Sequence, residues 1–197
     1  MAASGSGTRQ RMVAAAAGSI RRHGASATSI DRVLSLSGAP RGSVYHHFPG
    51  GRAQLVEEAV GFAGQHVSGL IVEAAGTGSP VVVVVDRFVA MWRKQLVESG
   101  FRDGCPVLAV AVESDEDHPE LTDAVAEAFG RWHDLLKALL EDAGLGAGRA
   151  DQLATFVIAA VEGALVLSRA QRRTGPLDDV GAELRGLLTA AIEESAS

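Results

Sequence analysis

Apolar residues recur at three- and four-residue spacing along nearly the whole chain, with Gly, Pro and Ser at the interruptions, so the pattern predicts an all-α fold. Met12, Val13, Ala16 and Ile20 share one face of a helix from about Thr8 to His23, which Gly24 ends as a C-terminal cap. Thr28 followed by Asp31 resembles a capping box, with the hydroxyl on free amides and the carboxylate near the helix N-terminus, and predicts a short second helix over 29–36. Ser37-Gly38-Ala39 makes a turn. Pro40 suits the first position of a third helix, where its missing N–H costs nothing, and that helix ends near Phe48. A long fourth helix from Arg52 to about Ala75 carries Leu55, Val56, Ala59, Phe62 and Ala63 as its buried stripe.

Gly76-Thr77-Gly78 breaks the chain, and Ser79-Pro80 offers an N-cap and a first-turn proline for a helix reaching about Ser99. The run Val81–Val85 is β-prone and a strand competes there, but Phe88, Val89, Trp92 and Leu96 continue at helical spacing. Cys105-Pro106 opens a helix to about Ser114, Asp115-Glu116-Asp117 forms an acidic loop, and Pro119 to about Ala143 is helical again. Helices over about 149–173 and 177–194 complete a set of about nine.

Charge divides this pattern in two. The total is −6, yet up to Arg52 seven arginines face one acid, Asp31, a formal charge of +6 that leaves −12 for the remainder. A basic head on an acidic body is what a nucleic-acid-binding module joined to a sensing or assembly domain looks like. With 47% hydrophobic and 21% charged residues the chain reads as an ordinary globular protein. One cysteine, no signal-like start and no uninterrupted apolar run near the ~20 residues of a membrane span predict a cytoplasmic chain with no membrane partner.

Two short helices joined by a tight turn at Gly38 fit a helix-turn-helix, in which the second helix enters the major groove. On that helix Val44 and Phe48, at spacing i and i+4, are anchors. Around them stand Arg41, which reaches guanine or phosphate, Ser43 and Tyr45, which suit phosphate oxygens, and His46 and His47, which donate to either. Gly42 lets the backbone approach DNA closely. For Tyr45 and His47, packing against the first and fourth helices competes with DNA contact.

The stretch ATSIDRVLSLSGAPRGSVYHHFPGGRAQL, 27–55, resembles the DNA-binding signature of the tetracycline-repressor (TetR/AcrR) family. The Phe-Pro-Gly-Gly-Arg form and Gly104-Cys105-Pro106-Val107 resemble a subgroup that includes repressors of multidrug-efflux genes. The resemblance implies an N-terminal three-helix helix-turn-helix DNA-binding domain, 1–52, and a C-terminal helical ligand-binding and dimerisation domain, 53–197. It implies a homodimer on palindromic double-stranded operator DNA, released by a small-molecule effector. It places Thr28 and Ser29 on the DNA backbone, Arg41, Gly42 and Ser43 at the groove, Tyr45 and His46 on phosphate and bases, and Arg52 where the family has a phosphate-binding lysine. Pro40 in place of a capping Ser or Thr, and the negative Asp31, depart from the family pattern.

In the body, Phe88, Met91, Trp92, Cys105, Phe129, Trp132, His133 and Phe156 are candidates for an apolar effector pocket, with plain core packing as the competing reading. Ala160, Gly163, Ala164 and Ser168, with Leu184, Leu187, Leu188 and Ala191, form two apolar faces at the C-terminus. These suit either a two-fold interface or burial within one chain, and the family resemblance favours the interface. An enzyme using Cys105 as nucleophile and His118 or His133 as base lacks an activating environment in the sequence. The contiguous acids from Glu113 to Asp117 beside His118 read as a solvated loop rather than a cation site. No cofactor is implied. An activator or a DNA-independent adaptor on the same fold is the remaining alternative.

Overall fold

The computed structural model describes residues 3–113 and 118–196, with side chains from residue 7 onward. Among these residues there are nine α-helices and no strand: α1 (Ala3–His23), α2 (Ile30–Ser37), α3 (Val44–His47), α4 (Gly51–Gly76), α5 (Val81–Glu98), α6 (Pro106–Glu113), α7 (Pro119–Asp142), α8 (Ala147–Gln171) and α9 (Gly175–Ser195). A single 3-10 turn, Arg41–Ser43, leads directly into α3. The expected acidic loop at Asp115, Glu116 and Asp117 lies outside the described residues.

The valine run 81–85 is helical, because Val81, Val84, Val85, Phe88, Val89, Trp92 and Leu96 all fall on the buried face of one helix. Its N-cap position is taken by Pro80 rather than Ser79, with no side-chain cap bond. Two expectations at the second and third helices are corrected. The cap of α2 is Ser29, whose Oγ accepts from the Arg32 amide at 3.2 Å, because Thr28 turns inward instead. Pro40 precedes the third helix rather than opening it: its ψ of 142° is extended, and the Ser43 hydroxyl donates to its carbonyl at 2.6 Å. Gly38 ends α2 with φ 65°, the left-handed conformation that a helix stop of this kind favours in glycine.

The chain divides into two compact units. The first holds the described residues of Met1–Gln65 and Cys105–Phe129, so it reaches past the helix-turn-helix and takes in α6. Met12, Val13, Ala16 and Ile20 are buried as the periodicity predicts, together with Val33, Val44, Phe48, Leu55, Val56 and Ala59. Phe62 does not join its predicted stripe on α4 and is exposed.

The second unit holds His66–Gly104 and Gly130–Ser197. Here α9 packs on both α5 and α8. A Cβ at Gly181 would stand 3.2 Å from Val89, so the missing side chain lets α9 lie close to α5. Arg93–Asp178 and Arg185–Asp86 ion pairs, each at 2.9 Å, join the same two helices at the surface. The Leu177 amide donates to the buried Ser168 hydroxyl at 3.2 Å, tying α9 to α8. Trp132 is fully buried, its ring edge-on to Phe88 at 6.4 Å, and Phe88 is edge-on to Trp92 at 6.2 Å.

At 25 residues α8 is long and apolar enough, by length and composition, to cross a membrane, which counting uninterrupted runs did not register. It also buries Glu162 and packs against α5 and α9, as a core helix does.

Candidate nucleic-acid interface

Two buried side chains set the recognition segment. Val44 and Phe48 are essentially inaccessible, as the i, i+4 spacing predicts, and the Phe48 amide donates to the Val44 carbonyl at 2.7 Å to close the single turn of α3. The Arg9 guanidinium lies over the Phe48 ring at 5.3 Å and pairs with Glu58 at 2.6 Å, so Phe48 is gripped from α1 with α4 alongside. A helix of four residues cannot hold itself in water, and these contacts supply what its own hydrogen bonds do not.

With the anchors inward, the polar side chains between them turn out. Arg41, Gly42, Tyr45 and His46 are exposed, Tyr45 at 68%. Ser29 at the start of α2 is exposed as well. Tyr45 is therefore not buried in the core between the first and fourth helices. His47 is half-buried between the rings of His46 and Phe48, at 5.1 and 6.4 Å, and Ser43 is half-buried with its hydroxyl on Pro40. A Cβ at Gly42 would meet nothing within 4 Å and its φ is not positive, so the fold itself does not demand glycine there. The Arg41 Nη2 reaches the Asp31 carboxylate at 2.9 Å across the surface.

Thr28 and Arg52 have other partners. Thr28 is 1% exposed; its hydroxyl donates to the Gly24 carbonyl at 2.9 Å and lies 2.9 Å from the Ser19 hydroxyl, so it is corrected from a backbone-contacting residue to a brace of the turn between α1 and α2. The Arg52 guanidinium donates to the carbonyls of Thr28, at 2.9 Å, and Ala25, which directs its fork inward rather than to a phosphate. Glu113 completes this arrangement from the end of α6, accepting from the amides of Ala25 at 3.1 Å and Ser26 at 2.6 Å. Partial burial pushes the Glu113 carboxyl up, but hydrogen bonds from the Ser26 side chain and amide and the Ala25 amide, with the Arg52 charge, hold it below its ordinary value. Gly24 makes room for it: φ is 85°, and a Cβ there would stand 2.3 Å from the Glu113 Oε1. The turn's donors are thus held by one distant acid and its acceptors by one distant arginine. No local spacing signals this, since Glu113 lies 88 residues beyond Ala25.

The candidate effector residues are not brought together as one lining. Phe88 and Met91 border a recess of about 180 Å³ whose other walls are Leu70, Ile71, Ala74 and Val84, with Glu73, Thr77 and Arg87 as its polar groups. Trp92 and Trp132 are core, Phe129 is half-buried, and Cys105 is buried with its sulfur accepting the Leu108 amide at 3.4 Å. The His133 ring lies 3.2 Å from the Asp151 carbonyl, and the His118 ring 3.1 Å from the Glu120 carboxylate. Phe156 is corrected from a pocket residue to a surface one, 52% exposed on α8.

The candidate interface residues divide likewise. Ala164, Ser168, Leu184, Leu188 and Ala191 are buried within the chain, Ala160 and Leu187 are half-buried, and Gly163 is exposed. The first five are covered by their own chain. The apolar face that α8 leaves outward is instead Phe156, Ala159, Gly163, Val166, Leu167 and Ala170.

Residues 12–59 match the family of bacterial regulatory proteins, tetR family, and residues 81–183 match the C-terminal domain of LmrA/YxaF-like transcriptional regulators. The chain is 44% identical over 193 residues to an uncharacterised HTH-type transcriptional regulator of Mycobacterium tuberculosis, covering 95% of this chain and 97% of that one. It is 28% identical to the HTH-type transcriptional regulator LmrA of Bacillus subtilis, covering 92% of this chain and 96% of that one. Among solved structures, a TetR transcriptional regulator from Chloroflexus aurantiacus is 27% identical, with a TM-score of 0.76 over 95% of this chain and 96% of the other. With an exposed polar segment held on buried anchors inside the first of these matches, the protein is a member of the tetR family, a DNA-binding transcriptional regulator and not an enzyme.

Proposed function

We propose that the protein is a cytoplasmic, dimeric repressor that binds a palindromic operator and is released from it by a small lipophilic molecule. The observation that carries the reading is the group of Ser29, Arg41, Gly42, Tyr45 and His46, all turned outward around the buried Val44 and Phe48. In this assignment Arg41 and His46 meet base edges or phosphate, Tyr45 and Ser29 meet phosphate oxygens, and Gly42 lets the backbone approach. Ser43 and His47, half-buried, support the segment and reach DNA only at its margin. Residues 1–52 serve DNA binding, and 53–197 serve effector binding and dimerisation.

The effector site in this reading begins at the recess beside Phe88 and Met91, mostly apolar with Glu73, Thr77 and Arg87 as orienting groups. A drug-sized ligand needs roughly 300 Å³ or more, so binding enlarges the recess and favours the conformation that releases DNA.

The test is binding to the DNA flanking the protein's own gene. Arg41→Ala and Tyr45→Ala are each expected to weaken it by about 1–3 kcal/mol, about five- to 150-fold, with helicity and oligomeric state unchanged. Affinity in the parent protein should fall steeply with salt, as several phosphate contacts require. Lipophilic compounds should release the DNA. Undiminished affinity in both variants would overturn the site assignment.

Dimerisation is assigned to the outward face of α8, where Phe156, Val166 and Leu167 stand among Ala159, Gly163 and Ala170. An apolar stripe of this kind along one helix favours covering by a second copy, and small residues let the partner helix come near. Leu167→Asp, at an exposed position, should give a folded monomer by sedimentation that no longer holds a two-half-site DNA. A dimer that persists at micromolar concentration would place the interface elsewhere.

A further inference from the structure

The pair between Asp31 and Arg41 is unusual in its setting. Both side chains are largely exposed, at 74% and 84%, and each lies on the surface assigned to DNA. An exposed ion pair of this kind adds little to folding. Its effect on what touches that surface is larger. Asp31, in the first turn of α2, is the only acid in the chain up to Arg52, and its Oδ1 accepts from one terminal nitrogen of the Arg41 guanidinium at 2.9 Å. The arginine fork offers five N–H donors in a fixed plane, so one bond to Asp31 orients the plane and leaves the other edge free.

We propose that Asp31 is a specificity-determining residue that acts through Arg41, orienting its guanidinium for a base edge and keeping it from phosphate. A guanidinium without a partner binds any phosphate in reach, a sequence-independent contact. Paired with Asp31, it cannot close on a phosphate without bringing a carboxylate beside that phosphate or giving up the pair. The free edge still fits the two acceptors that guanine presents in the major groove, and there the carboxylate stays bonded and unopposed. Asp31 thereby lowers affinity for random DNA more than for the operator. This rests on the assignment of Arg41 to DNA, which Arg41→Ala tests separately.

The experiment compares the full-length protein and its Asp31→Asn variant on an operator duplex and a random-sequence duplex of equal length across a salt series. The variant is expected to bind random DNA roughly three- to tenfold more tightly, with a log–log salt slope steeper by about 0.9, one further phosphate contact. Operator affinity should rise less or fall, so the operator-to-random ratio drops. Asp31→Glu, which restores the charge, should recover part of the ratio. In an Arg41→Ala background Asp31→Asn should leave the ratio and the slope where they were. A merely structural role for Asp31 at the start of α2 would move both affinities together. An unchanged ratio overturns the proposal, and so does an equal change in the Arg41→Ala background, which would make Asp31 a repulsive charge independent of Arg41. A parent protein that does not distinguish the two duplexes would overturn the assignment of the DNA surface itself.

Discussion

Phe48→Ala should lower the stability of the first unit by about 3–5 kcal/mol and abolish operator binding near physiological temperature. The ring is fully buried, and its loss removes the platform under Arg9 and one of only two anchors of a four-residue helix. Against a typical total of roughly 5–15 kcal/mol this is a large fraction. Because the chain has two compact units, a single denaturation midpoint is a blunt reading. Hydrogen exchange of the amides over 12–48 is sharper. Those amides should exchange orders of magnitude faster in the variant, while α8 and α9 keep their protection. A loss below about 1 kcal/mol there, with operator binding intact, would show that Val44 alone seats the recognition segment.

The second large effect is expected at Gly24. Alanine there must hold φ near 85° and place a Cβ 2.3 Å from the Glu113 carboxylate, so the acid has to leave the Ala25 and Ser26 amides. Left-handed backbone costs about 1–2 kcal/mol, and the lost charge-assisted bonds, weakened by their partial exposure, bring the total to about 2–4 kcal/mol. The two contributions separate in a double-mutant cycle. In a Glu113→Ala background the same Gly24→Ala change should cost only the backbone part. Additive effects would mean that the added Cβ does not displace the carboxylate from the Ala25 and Ser26 amides.

The acid pH dependence follows from the direction of the Glu113 shift. Its carboxyl sits lower in the folded chain than an ordinary glutamate, so the folded state holds the proton less tightly than the unfolded state does. The stabilisation is complete above the unfolded pKa and is lost as pH falls through the lowered folded value. Glu113→Gln should flatten the stability profile in that acid window and leave the neutral region offset but parallel.

These residues show where the sequence stops being legible. The all-α pattern, the turn at Gly38 and the inward faces of Met12, Ala16, Ile20, Val44 and Phe48 follow from helical spacing, because a period of 3.6 marks which side of a short amphipathic helix is apolar. The outward Tyr45 and His46 follow from the same phase. α8 defeats this reasoning, being apolar on almost every face. Spacing alone cannot say that Ala164 and Ser168 face their own chain while Val166 and Leu167 face out. Thr28, Arg52 and Glu113 fail for another reason. Their partners are backbone groups of one turn, and the sequence carries no mark of which side chain, near in the case of Thr28 and distant in the case of Arg52 and Glu113, will find a given amide or carbonyl. Pro40 shows a smaller version of the same limit, since a proline fits both the first helical position and the residue before it.

The brevity of α3 has a consequence for how such a protein can change its target. Arg41, Gly42, Tyr45 and His46 hang outward from a segment whose placement depends on Val44, Phe48 and the Arg9 contact, and hardly on one another. The address and the hinge pin are separate parts. Under the proposed assignment of these four residues to DNA, exchanging them is expected to rewrite the preferred DNA sequence at little expense in folding, so that a new target can be acquired by substitution within this segment alone.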